Sequence, residues 1–271
     1  MDPRPPRAPG TLTPTKEGNP LTSVTPRPVT AYSDEHADVY DLIHTARSRD
    51  WAAEAEAIAA LVADRHPDAA SLLDVACGTG KHLESFGSRF RHVEGVELSD
   101  GMLRIARNRL SDVTVHHGDM RTFDLGRTYS AVTCLCFSVA YMATADELNR
   151  ALRRMARHLE PGGVLVLEPW WFPEKFLEGF VAGAVAEEEG RVVSRLSHSV
   201  RDGDRTRMTV RYTVADSARG ISEFTSYEML SLFAAAEYEA AFRGAGLTVE
   251  YLEGGPNGRG LFVGVSPRGA S

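Results

Sequence analysis

Apolar positions first fall into a register near Tyr32. Tyr32 to Ile43 and Trp51 to Arg65 both show helical spacing, and in the second Ala55, Ile58, Ala59, Leu61 and Val62 form one apolar face. A different rhythm follows. Ser71–Ala76, His92–Glu97, Val113–His116, Ser130–Phe137 and Gly163–Glu168 read as short buried strands, the last after the Pro161-Gly162-Gly163 turn. Helical stretches separate them: Lys81–Phe90, a segment capped by Ser99 and running to Arg109, and Asp146–His158. Strands alternating with helices of this length predict a parallel sheet with right-handed crossovers. Beyond Glu168 the alternation stops. Val192–His198, Thr206–Ala215 and Ile221–Leu230, with turn signals at Asp202-Gly203-Asp204 and Arg219-Gly220, predict an inserted antiparallel sheet packed over the first. A helix at Ala236–Ala245 and strands near Thr248–Tyr251 and Leu261–Val265 close the pattern.

These changes of rhythm divide the chain into four stretches. Residues 1–30, dense in proline and threonine, are expected to be a disordered extension, because they cannot bury enough apolar surface to offset ordering. Residues 31–168 form the N-terminal helices and the α/β core. Residues 169–232 form the inserted sheet, and 233–271 the closing helix and strands.

Composition narrows the chemistry. A net charge of −7 gives no electrostatic footprint for a phosphate backbone, so no nucleic-acid partner is expected. No apolar run approaches membrane-spanning length and no secretory signal is evident, so no membrane partner and a cytoplasmic setting are expected. Cys77, Cys134 and Cys136 have neither disulfide nor metal-ligand spacing, and no metal is expected.

The chemistry-bearing motif lies between the first strand and its helix, Asp74-Val75-Ala76-Cys77-Gly78-Thr79-Gly80. Glycines at 78 and 80 let the backbone approach a ligand closely, and the helix N-terminus that follows offers unpaired N–H groups. The third glycine of the dinucleotide fingerprint is missing, and no Gly-Lys-Ser/Thr follows, which counts against NAD and ATP. Glu97, ending the second strand, can accept from both hydroxyls of a ribose. Asp119 after the third strand can accept from an adenine amino group, with Met102 and Met120 against the ring. Asp74 is expected to be buried and to order the glycine loop.

This order of residues resembles the Rossmann-like class I methyltransferases, an α/β fold whose sheet carries an antiparallel strand near one edge. The resemblance implies S-adenosyl-L-methionine as cofactor, and adds Ala76, Leu98 and Leu135 to the residues expected around it. The Asn/Asp-Pro-Pro-Tyr/Phe of adenine and glutamine N-methyltransferases is replaced by Cys134-Leu135-Cys136-Phe137-Ser138, and the Pro-Cys of cytosine methyltransferases is absent.

A narrower likeness rests on Ala31-Tyr32-Ser33, Leu72–Gly80, His116 to Arg121, Glu168-Pro169-Trp170-Trp171-Phe172-Pro173, Ser197-His198-Ser199 and Gly254 to Phe262. Together they resemble the dTDP-aminosugar N,N-dimethyltransferases of desosamine and mycaminose biosynthesis. That likeness implies an N-methyltransferase acting on a dTDP-linked deoxyaminosugar, with a 3-amino group expected ahead of a 4-amino one. It implies Tyr32 on the sugar side, Tyr40 toward the cofactor carboxylate, and a homodimer. Arg259, between Gly258 and Gly260, can fork onto pyrophosphate, with further donors from Arg195, Ser197 and His198. Trp170 and Trp171 can wall a sugar or base.

Tyr32 and Tyr141 are the expected catalytic pair, orienting the amine or relaying its proton; relatives that carry histidine at the latter position argue against an obligatory imidazole base. Arg49-Asp50-Trp51 departs from a Lys-Asp-Tyr of relatives, leaving Trp51 without a hydroxyl. A methyltransferase for another amine or a sugar hydroxyl, and a non-catalytic cofactor-binding protein, remain the alternatives.

Overall fold

The computed structural model describes residues 32–268, so the expectation for residues 1–30 lies outside the described residues. Two helices lead. Ser33 caps α1 (Asp34–Ala46) by accepting from the His36 N–H, and Asp50 caps α2 (Trp51–Arg65) through Ala53. The alternating core follows as β1 (Ser71–Val75), α3 (Lys81–Phe86), β2 (His92–Glu97), α4 (Asp100–Arg109) and β3 (Thr114–His117). Then come β4 (Tyr129–Cys134), a 3-10 turn at Ser138–Tyr141, α5 (Ala145–Ala156) and β5 (Leu159–Leu167). The 161–163 turn expected to precede β5 lies inside it.

These strands form a seven-stranded sheet in the order β10-β11-β5-β4-β1-β2-β3. β1 pairs in parallel with both β2 and β4. Near one edge β11 (Leu261–Val265) runs antiparallel to both its neighbours, β5 and the edge strand β10 (Glu250–Leu252), as the resemblance implied. Apolar layers cover both faces: Leu73, Val75 and Leu165 pack under α5 and α6 (Ala235–Gly244), while Leu72, Val164 and Val166 pack toward α2 and α3. The strand ends are thereby fixed at one rim, where ligands of doubly wound sheets bind.

The second sheet has four strands, not three: β6 (Phe180–Glu188), β7 (Arg191–Asp202), β8 (Arg205–Asp216) and β9 (Gly220–Ser231), all antiparallel. β6 escapes a periodicity reading because its inward positions are Ala182, Ala184 and Ala186, too small to mark a buried face. Inward positions of the other strands, among them Val193, Val210, Tyr212 and Leu230, pack with Val39 and Ile43 of α1 and with Trp170. The sheet is therefore a roof, and α1 lies between it and the core.

Candidate active site

The glycine loop takes the shape its sequence demands. Ala76 and Gly78 have φ of 59°, and Gly80 has φ of 79°. A Cβ on Gly80 would sit 2.7 Å from the Leu110 methyl, so conformation and packing both exclude a side chain there. Gly80 is the N-cap of α3 and does not line the cavity, whereas Ala76 and Gly78 do.

Glu97 secures that loop. Its carboxylate accepts from the N–H of Gly78 (2.8 Å), Leu98 (2.8 Å) and Ser99 (2.7 Å). Burial raises its pKa, and these three N–H groups pull the other way. A carboxylate offers about four lone-pair directions, so one remains for a ligand hydroxyl. Asp74 is buried beneath, accepts from Thr133 Oγ1 at 2.7 Å, and is pushed up to about 6 by burial. Leu98, Met102, Met120 and Leu135 line the same cavity. Asp119 lines the cavity too, but Arg121 grips it through its guanidinium and its backbone N–H, which holds the carboxyl below its ordinary range.

From above, α1 clasps the loop: Thr79 Oγ1 donates to Asp41 at 2.6 Å, and Arg109 joins Asp41 to the Thr79 carbonyl. Trp51 faces this cavity with a buried indole N–H that finds no acceptor among the described residues. The donor set, the bare glycine loop and that orphaned N–H fit a nucleoside carrying a charged amino-acid tail.

The second cavity, about 1160 Å³, lies between the core rim and the roof. Arg195, Ser197 and Ser199 line it from β7, with Met208, Tyr212 and Glu228 from β8 and β9. His198 is the exception among the expected residues. Strand alternation turns it to the outer face opposite Val181, where it is exposed. Trp170 is fixed by an Nε1–H bond to Thr206 Oγ1 at 3.1 Å, and Trp171 stands edge-on to it at 6.3 Å.

Arg259 reaches into the aromatic corner, its guanidinium 4.8 Å from the Phe137 ring, 5.5 Å from Trp170 and 5.8 Å from Trp171. It pairs with Glu168, which also accepts from Asn257 and from the Cys136 N–H. Its Nε is buried without a partner among the described residues, leaving one cationic donor to offer.

The cavities meet at Tyr32 and Tyr40, which line both. Tyr32 and Tyr141 place their hydroxyl oxygens 2.8 Å apart, and Tyr141 donates to Glu228 at 3.1 Å. Burial raises all three phenols well above their ordinary value. The two expected catalytic tyrosines, 109 positions apart in the chain, are therefore brought together where the cavities join. Sequence reasoning missed Glu228, whose only signal is a carboxylate at an inward position of β9 between Ser226 and Leu230.

A methyltransferase-domain family model matches residues 72–163. A dTDP-4-amino-2,3,4,6-tetradeoxy-D-glucose N,N-dimethyltransferase of Saccharopolyspora spinosa is 60% identical over 86% of this chain and 94% of its own. A dTDP-3-amino-3,4,6-trideoxy-alpha-D-glucopyranose N,N-dimethyltransferase of Streptomyces venezuelae is 58% identical over 86% of this chain and 99% of its own. The chain belongs to the dTDP-aminosugar N,N-dimethyltransferases. Among solved structures it is similar to CalS10, an amino pentose methyltransferase of Micromonospora echinaspora solved with SAM bound, at 52% identity and a TM-score of 0.78, covering 84% of this chain and 96% of that one. The dimethyltransferase fold is thus the class I methyltransferase sheet plus a separate antiparallel sheet, and its cofactor is S-adenosylmethionine.

Proposed function

We propose that this dimethyltransferase transfers two methyl groups to the amine of a dTDP-linked deoxyaminosugar in antibiotic biosynthesis. The observation that carries the substrate reading is Arg259: a cation framed by three aromatic rings in a large cavity, with an unpartnered Nε–H, suits a pyrophosphate beside a stacked base. Arg195, Ser197 and Ser199 add donors on the roof. Gly78, Glu97, Leu98, Met102, Asp119 and Met120 would hold the cofactor, which supplies an electrophilic methyl when bound.

The chain's own part is alignment. A neutral aliphatic amine is already a competent nucleophile, so holding it in a dry, fixed position supplies most of the acceleration. Tyr32 and Tyr141 meet at the junction, where their hydroxyls can orient the amine.

We take the 3-amino sugar as substrate; the 60% identical relative favours the 4-amino isomer as the second reading. Mass spectrometry of both isomers incubated with enzyme and S-adenosylmethionine decides. Two added methyls on the 3-amino sugar supports the reading; methylation of the 4-amino sugar alone replaces it; methylation of neither defeats both.

A homodimer fits the outer face of the roof, where Val181, Val185, Leu196 and Ile221 are exposed on three of its four strands. Light scattering of the purified protein at monomer mass would remove that reading.

A further inference from the structure

The alignment described above leaves one buried acid without a task. Glu228 is 3% exposed and lines the substrate cavity from the roof. Its Oε2 accepts from Tyr141 at 3.1 Å, and among the described residues no arginine or lysine forms an ion pair with it. The charged and titratable groups facing it are Tyr32, Tyr40 and Arg47 from the α1 segment, Tyr141 from the 3-10 turn, Arg195 from β7 and Tyr212 from β8. Burial raises its pKa, with Arg195, Tyr141 and Arg47 acting against that rise. A buried carboxylate with so few partners is costly unless a cation joins it.

The chemistry of dimethylation supplies such a cation. An aminosugar in neutral solution is largely an ammonium, which has no lone pair to offer. Each transfer also turns a neutral amine into an alkylammonium, so a proton must leave before the second methyl can be accepted. The imidazoles of the cavity are poor acceptors: burial and Arg195 hold His36 at about 3, and burial with Arg49 depresses His44. The phenols can pass a proton along but not take up a further one, since their raised pKa values keep both already protonated at neutral pH.

Resting on the aminosugar reading above, we propose that Glu228 is the proton acceptor for the substrate ammonium, reached through the hydroxyls of Tyr32 and Tyr141. One N–H bond of the ammonium breaks and its electron pair stays on nitrogen. The proton passes to the Tyr32 oxygen as the Tyr32 proton moves to Tyr141 and the Tyr141 proton moves to Glu228 Oε2. The carboxylate becomes a carboxylic acid, both phenols are regenerated, and the acid returns its proton to water when the product leaves. Glu228 acts here through Tyr141 and is a positioning residue in the chain of transfer, with the neutral amine as its product.

The test is the pH dependence of kcat/KM for wild type and Glu228→Gln, from neutral to alkaline pH, with the aminosugar that wild type methylates. The amide still accepts from Tyr141 but cannot take a proton. In wild type the acid limb follows the raised carboxyl pKa of Glu228. In the variant it should move up to the ammonium pKa of the free sugar, falling about tenfold per pH unit below it, so that the gap closes as pH rises. Profiles that stay parallel, separated by a constant factor, overturn the proposal. If Glu228→Gln fails to fold, by melting or by loss of S-adenosylhomocysteine binding, Tyr141→Phe cuts the same route and should shift the limb in the same direction; an unshifted limb in that variant overturns the proposal equally. A wild-type enzyme that methylates no dTDP-aminosugar defeats the substrate reading instead, which separates the two failures.

Discussion

The two cavities are built in opposite ways. Around the proposed cofactor cavity, the residues lie at successive strand ends: the glycine loop after β1, Glu97 at the end of β2, Asp119 after β3 and Leu135 after β4. Parallel topology alone gathers them at one rim. The substrate cavity instead takes Tyr32 from just before α1, Trp170 and Trp171 from the chain after β5, Arg195 and Glu228 from the roof, and Arg259 from the loop before β11. There, position depends on how a separate sheet packs over the core. The first arrangement tolerates many substrates by leaving the cofactor end unchanged, while the second can be rewritten residue by residue.

The largest expected effect tests whether the two halves separate energetically. Arg259→Ala removes the cavity's framed cation and should raise KM for the dTDP-aminosugar about 100-fold, equivalent to about 2.7 kcal/mol of lost charged hydrogen bonding. S-adenosylhomocysteine affinity by calorimetry should change by less than about twofold. Equal losses on both sides would break the comparison. The route for such coupling is Glu168, which pairs with Arg259 and also accepts from the Cys136 N–H beside the cofactor cavity.

An effect of similar size belongs to the cofactor half. Burial raises the pKa of Asp74 to about 6, above the ordinary range of an aspartate. With the folded value above the unfolded one, protonation favours the native state. That contribution is complete below the unfolded pKa and is lost as pH rises through about 6. Asp74→Asn, which keeps an acceptor for Thr133, should therefore be more stable than wild type at alkaline pH by about 3 kcal/mol. The advantage should vanish at strongly acidic pH. Denaturant melts at the two extremes check this, and an advantage that grows toward acid would contradict it.

The same contrast explains what could be read from the chain. Gly78, Glu97 and Asp119 were legible because each follows its strand at a fixed interval. Arg259 and the tryptophans were legible through resemblance, not spacing. β6 was invisible because alanines mark no face, and Glu228 because its partner Tyr141 is 87 residues away. His198 shows how narrow the margin is: one residue of strand parity separates it from Ser197 and Ser199.

Trp51 sharpens the comparison by a smaller amount. Where relatives were expected to carry a tyrosine, its indole N–H is buried at the cofactor cavity without an acceptor, and the Arg49 guanidinium lies 4.5 Å from its ring. Trp51→Phe keeps an aromatic face for Arg49 and removes the donor, together with one ring of the indole. S-adenosylhomocysteine affinity should fall about fivefold, near 1 kcal/mol for one neutral hydrogen bond, with KM for the sugar unchanged. Unaltered affinity would show that the N–H has no ligand to meet.

The smallest effect is the most exacting test of the roof's register. His198 lies on the outer face of β7, while Ser197 and Ser199 on either side face the cavity. If the register is right, His198→Ala should leave kcat/KM within about twofold, as surface changes away from a site generally do. Ser199→Val, an inward change at a buried position, should raise KM by filling space and removing a donor. A slip of one residue would exchange these outcomes, because it turns every side chain of the strand to the opposite face. Such a slip would also expose Val193 and turn Arg195 out of the cavity, which is why the pair of variants tests the substrate half as a unit.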